Sequence, residues 1–446
     1  MKESLSNLKF LIIVSGLIVT LLIDSSFIKI YDLIDKNFIS IDQKKILFSI
    51  NTLVSIFFQY LLIRHIKNIF SDQKSRLSIG LFIKMAVTSL TITTLIFVFL
   101  IFQIFTTNFY FTSPLIFIIL LSYGTALSFI IALALLFLSW FNLKHDFVVF
   151  LYFISMLMIA FNLILTATYT ILNISDRPHE IREYVGGSID ISVGRYIVLD
   201  SIYKISSILS FGSIWTTTAI TLVKYRTRLL NTIVYGVILS MPLVYFLFNY
   251  TYGYIFGSLL NYYLTVDPVS VSIMLTAFLF LSKPVGGLTF GIVFWKISSD
   301  LSYEKNIKKY MTMSGLGVFL LFATNQAIGQ TLTPFPPFGL VTTTVIFLAG
   351  LLTLLGIFNA AIFVSTNNNL QHSIYKRAIE ARLLGVIGSA EKDKELKKTI
   401  DKIIDDADII TSSSKMYVDL DEKELKKHLD FVLKEVGKNV DEDRKP

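Results

Sequence analysis

Apolar residues gather into ten runs of about membrane-spanning length within the first 364 positions. They lie at about 10–23, 46–63, 79–105, 115–141, 147–173, 205–222, 232–249, 269–295, 311–330 and 340–364. A hydrocarbon core of about 30 Å takes roughly 20 apolar helical residues to cross. Within it, only segments that bond their own backbone polar groups are stable. The pattern predicts an all-α polytopic integral membrane bundle of about ten transmembrane helices over residues 1–364. No run contains Asp or Glu, and only Lys84 and Lys283 bring a full charge inside one. Proton relays and cation pathways rest on intramembrane carboxylates, so the pattern argues against them. Lys84 enters only some five residues from the end of its run, where its stem can snorkel to the interface.

The rhythm changes after residue 364, where a cytoplasmic amphipathic helical tail is expected over 365–446. Residues 365–387 are predicted to extend the last helix into water, with Lys376, Arg377 and Arg382 near the anionic surface. Leu396, Ile400, Ile403, Ala407 and Ile410 then recur at helical spacing, as do Leu425, Leu429, Val432 and Val436. Helices of this length bury little surface alone, so the tail should pack on itself, on a second copy or on a protein partner.

Basic residues in the connections orient the chain. With the N-terminus inside, the cytoplasmic pieces hold fourteen Lys and Arg against eight outside. Both termini are therefore expected in the cytoplasm, with the protein multi-pass in the plasma membrane. The outer pieces include Tyr250, Tyr252, Tyr254, Tyr262 and Tyr263, an aromatic belt in character. They also include a stiff Pro-rich turn at 331–339 and a long loop at 174–204. The alternation from Ile189 to Leu199 in that loop suggests a small hairpin.

Composition adds exclusions. Zero Cys removes disulfides, thiol catalysis and Cys-ligated metals. The net charge of +8 is dispersed among loops and an acid-containing tail, so no nucleic-acid partner is expected. His65, His145, His179, His372 and His428 are scattered without metal-ligand spacing. No metal, cofactor or catalytic residue is assigned. The acid- and base-rich string from Asp176 to Glu183 reads as a solvated loop. Asp24, Asp32 and Asp35 follow the first run, where a lipid-modifying enzyme would carry an acid, but their loop lacks the bulk of such enzymes.

The strongest local signal is Ser282-Lys283-Pro284-Val285-Gly286-Gly287 in the eighth run. Proline removes a backbone donor and crowds the preceding turn, which kinks a helix. Gly287 and Gly291 form a small-xxx-small pair that admits a neighbouring helix closely. A mid-membrane ammonium costs about 2.5–3.5 kcal/mol on the insertion scale, so such a lysine is a candidate site by default. Lys283, Pro284, Gly286 and Gly287, together with the adjacent Asn325 and Gln326, form the candidate ligand site for an anion or polar headgroup. The bland alternative ends the span at Lys283 and lays the following residues along the inner surface. Asn51, Asn162 and Asn359 read as polar groups bonding helices together.

The stretch from Ser282 to Trp295, with Asn325-Gln326-Ala327 and Pro336-Pro337-Phe338-Gly339, resembles a family of polytopic membrane proteins found as several paralogues in ammonia-oxidising archaea. The resemblance covers roughly residues 270–410. It implies an archaeal plasma membrane and no particular activity, because the family is uncharacterised.

These features point first to a sensor or scaffold that couples the loop at 174–204 to the tail. The alternative is a transporter or permeation pathway for an anionic or neutral polar solute through the eighth run. A lipid-modifying enzyme acting from Asp24 is the third reading.

Overall fold

The computed structural model describes residues 2–30, 40–70, 77–177, 179–182, 197–223, 236–237, 239–251, 268–300, 304–325, 335–367 and 382–413. Its helices are α1 (Lys2–Ile30), α2 (Ile41–Ile69), α3 (Leu77–Thr107), α4 (Thr112–Lys144), α5 (Phe147–Ser175) and α6 (Ile197–Val223), then α7 (239–251), α8 (Pro268–Asp300), α9 (Lys305–Thr324), α10 (Leu340–Thr366) and α11 (Arg382–Ser413). Among the described residues, seven helices are long and apolar enough to cross a membrane: α1 to α6 and α10. They fit a membrane-embedded, multi-pass helical protein. The helices overrun their apolar runs because polar flanks at the interface still favour helix, and caps stop them beyond it. Ser40 and Gln43 close a capping box on α2, and the Asp146 carboxylate accepts from the amides of Val148 and Val149 at the start of α5.

The predicted hairpin at 189–199 falls mostly outside the described residues. Residues 183–196 lie outside the described residues, and Ile197–Leu199 open α6. The sheet present is a two-stranded antiparallel ribbon of β1 (Phe109–Phe111) and β2 (Glu180–Arg182), pairing Tyr110 with Ile181. It takes up part of the acid-rich string, so those residues act as strand and not as free loop. The Thr112 amide donates to the His179 carbonyl at 3.1 Å and ties the ribbon to α4.

Two compact units divide the chain, residues 1–391 and 392–446. Helix α10 stops at Thr366, and the beginning of α11 buries Leu383, Leu384, Ile387 and Ala390 in the first unit. Residues 368–381 lie outside the described residues. In the second unit, 392–413 are helical, and Leu396 and Ile403 are exposed.

Within the first unit α10 is the axis. Nearly every residue of it is buried, and α1, α2, α3, α4 and α9 surround it. Glycines set the spacing. A Cβ on Gly317 would lie 2.5 Å from the Thr353 amide nitrogen, and one on Gly356 would lie 2.6 Å from the Tyr310 carbonyl. Gly350 meets α4 less tightly, with a Cβ there 3.3 Å from the Ala126 carbonyl. Without hydrophobic drive between helices in lipid, this close approach supplies the packing.

Both ends of the axis are fixed. At its N-terminus, the fully buried Asp24 of α1 accepts from the Gly339 amide at 2.9 Å, the Thr342 amide at 2.8 Å and the Thr342 hydroxyl at 2.8 Å. The carboxylate thus caps a helix of another span, where the unpaired amides and the dipole favour an anion. The first run, predicted to end at residue 23, continues as helix through Asp24, so a carboxylate does sit within the apolar window Lys9–Ser26. At the same end Lys45 donates to Asn108 at 2.7 Å and lies over the Phe335 ring, which stacks on Tyr110. Burial holds the Arg177 guanidinium, beside Tyr110, below its ordinary pKa. At the other end Trp140 Nε1 donates to the buried Glu391 carboxylate at 2.8 Å, and Gly388 lies against Val364.

Candidate functional site

Helix α8 carries Lys283, α6 and the end of α9 supply its partners, and α5 is bonded behind them through Asn162. Helix α8 continues unbroken from Pro268 to Asp300, with Pro284 inside it, a length of about 50 Å at 1.5 Å per residue. Lys283 therefore lies near the middle of a continuous helix and does not end a short one. It is 9% exposed. Its partners come from the α6 start and the α9 end, which share the Asp24 end of the bundle.

The ammonium donates to the Tyr203 hydroxyl at 3.1 Å and to the Asn325 main-chain carbonyl at 3.1 Å. It also sits 5.4 Å from the centre of the Tyr203 ring, within cation–π range. Asn325 can accept because α9 ends there. With ψ 76° at Asn325 the helix stops, and the carbonyl is released from the ladder toward α8. Among the described residues no carboxylate pairs with Lys283. Tyr203 stacks on Tyr169 at 5.6 Å, and Tyr169 donates to Asp200 at 3.3 Å. That acid is already paired with Lys204 at 2.6 Å. The Tyr250 ring packs edge-on against Phe246, and its hydroxyl lies within electrostatic reach of Lys283.

A second row of bonds supports the first. Asn325 Nδ2 donates to Asn162 Oδ1 at 2.8 Å, Asn162 Nδ2 donates to Ser206 Oγ at 2.8 Å, and Ser206 donates to the Tyr203 carbonyl at 2.8 Å. From this cluster a stripe of buried hydroxyls runs down α6 through Ser206, Ser207, Ser210, Thr217, Thr218 and Thr221. Tyr203 to Thr221 spans about 27 Å of helix. Ser155 of α5 meets Thr217 at 2.8 Å within that stripe.

Of the sequence candidates, Lys283 and Asn325 meet directly. Gln326 lies outside the described residues. Gly286 faces the Phe211 ring of α6 so closely that any Cβ would collide with it. Gly287 and Gly291 face α9, where a Cβ on Gly287 would lie 2.9 Å from the Phe319 carbonyl and one on Gly291 would lie 2.7 Å from the Gly315 carbonyl. Pro284 follows the lysine, and the glycines behind it bring α9, and so Asn325, within reach. Asn162 bonds helices, as expected, but does so inside the site. Tyr203, Ser206 and Ser207 were not singled out by sequence, and Tyr250 was read only as part of an aromatic belt. The signal for α6 was available, since hydroxyl residues recur along it at spacings of three, four and seven. Lys84 lies exposed on α3. Of the five tyrosines at 250–263, Tyr250 alone falls among the described residues.

Comparisons with protein-family models, with curated proteins and with solved structures find no match for this chain.

Proposed function

We propose that this chain is a ten-span plasma-membrane protein with both termini in the cytoplasm, and that it passes a small anionic or neutral polar solute by way of Lys283. The observation that carries the reading is a buried ammonium with no carboxylate partner among the described residues, set at the head of a hydroxyl stripe. A lone charge in a low-dielectric interior is costly unless paired. A solute anion would pair it, and hydroxyls along α6 would hydrogen-bond a polar solute on its way. No enzymatic step belongs to this reading.

Uptake by proteoliposomes of labelled bicarbonate, phosphate and sulfate tests it. Uptake of at least one, lost in Lys283→Met and kept when residues 392–446 are deleted, is the expected result. Absence of uptake of all three by the folded wild-type protein would sink the reading.

One observation favours a second reading, a sensor whose tail recruits a partner. The Trp140–Glu391 bond joins α4 to the helix that leads into the tail. Here the same anions would change cross-linking of the tail, and no solute would cross.

A further inference from the structure

The polar network around Lys283 has a direction, and the direction leaves one acceptor over. Ser206 has a single hydroxyl proton, and it goes to the Tyr203 carbonyl. Its oxygen must therefore accept from Asn162, which turns the Asn162 amide nitrogen toward Ser206 and its Oδ1 toward Asn325. Asn325 must then present its own Nδ2 to Asn162 Oδ1. The chain of donors fixes the Asn325 amide so that Oδ1 is its far end. That oxygen is buried and, among the described residues, has no hydrogen-bond partner, in a residue 6% exposed. A buried acceptor left unpaired costs about 1–3 kcal/mol, so in a native protein it calls for an occupant.

The main-chain carbonyl of the same residue accepts from the ammonium. Lys283 has three N–H groups, of which two are used by Tyr203 and by the Asn325 carbonyl. Among the described residues the site thus offers a cation with one N–H to give and an amide oxygen with nothing to receive. Halide and nitrate satisfy the first and not the second. A neutral alcohol satisfies the second and leaves the charge unpaired.

Building on the anion-pathway reading above, we infer that Lys283 and Asn325 select a small monoanion carrying its own hydrogen-bond donor, a hydroxyl-bearing oxyanion of the bicarbonate or dihydrogen phosphate kind. The oxyanion takes the free N–H of Lys283, and its O–H goes to Asn325 Oδ1. A site built to bond a ligand hydroxyl rejects the analogue that lacks it, because the protein group is then left unpaired.

Bicarbonate and nitrate make the test, being planar, trigonal and singly charged while only bicarbonate carries an O–H. Equilibrium binding of each is measured to the full chain in lipid nanodiscs at equal ionic strength. The expected result is at least tenfold tighter binding of bicarbonate. Asn325→Leu should bring the two within about threefold of each other. So should Ser206→Ala, a milder change that frees the Asn162 amide to turn its Nδ2 to Asn325 Oδ1. Lys283→Met should abolish both. Equal binding of bicarbonate and nitrate by the wild-type chain, with both lost in Lys283→Met, would overturn this inference and leave the anion site standing. It would also mean that water fills the acceptor. Binding of neither anion by the folded wild-type chain, or binding unchanged in Lys283→Met, would overturn both.

Discussion

Asp24 and Lys283 are both buried charges within apolar helices, and the molecule treats them in opposite ways. Asp24 receives three hydrogen bonds, two of them from the unpaired amides that begin α10. Charge, dipole and donor count all match there, and the group joins α1 to the central helix. Lys283 has a hydroxyl, a carbonyl and an aromatic face, no carboxylate among the described residues, and an unpaired amide oxygen on its neighbour. A saturated buried charge is a structural joint. An unsaturated one carries an energetic cost that folding alone does not explain, and that cost marks a place for a ligand.

The widest separation between the two should appear in stability. Replacing Asp24 by Ala leaves the Gly339 and Thr342 amides buried without an acceptor, a loss of about 3–5 kcal/mol. The midpoint of unfolding in detergent should fall sharply. Asp24→Asn, which keeps one acceptor oxygen, should fall less. Equal, small effects from both would mean that Asp24 is no joint, and the contrast with Lys283 would collapse.

A smaller effect should come from the seam that carries Asn325 to Lys283. Gly291 and Gly315 approach so closely that a Cβ on either would lie under 3 Å from the other's carbonyl oxygen. Gly291→Leu should push α9 off α8 at a cost of about 1–3 kcal/mol. It should also weaken anion binding, because the Asn325 carbonyl is withdrawn. Loss of stability with anion affinity intact would show that the seam is packing alone and does not shape the site.

Much of this contrast was legible in the chain, and the rest was not for a physical reason. Apolar runs and helix formation are local, so the membrane-embedded helical class followed from them. Lys283, Pro284, Gly287 and Gly291 stood out for the same reason, since a charge, a break and a small-residue pair lie within one helix. Pairing between helices is not local. Asp24 meets Gly339 across 315 positions, and Lys283 meets Tyr203 across 80. Nothing near Asp24 distinguishes a cap for a distant helix from an acid in an outer loop. The β1–β2 ribbon escaped likewise, since three-residue strands gain their pairing from a partner some 70 positions away and leave almost no periodic trace. The hydroxyls of α6 were visible one by one. Their common burial against α5 and α8 was visible only once the helices were placed.

The smallest expected change in stability, and the most informative, is that of Lys283→Met. Methionine keeps the length and apolar bulk of the lysine stem and removes the ammonium. The Tyr203 hydroxyl and the Asn325 carbonyl then lose a donor, a cost of about 1–3 kcal/mol. Against this stands the desolvation of an unpaired ammonium, which amounts to several kcal/mol and is removed with it. The two terms oppose, so the variant should unfold within about 1 kcal/mol of the wild type or above it. Anion binding should vanish in the same protein. That combination, stability kept and binding lost, is the reverse of Asp24→Ala, where stability falls first. If Lys283→Met instead unfolds as readily as Asp24→Ala, the ammonium is a joint between α6, α8 and α9, and the unpaired oxygen of Asn325 belongs to a bound water.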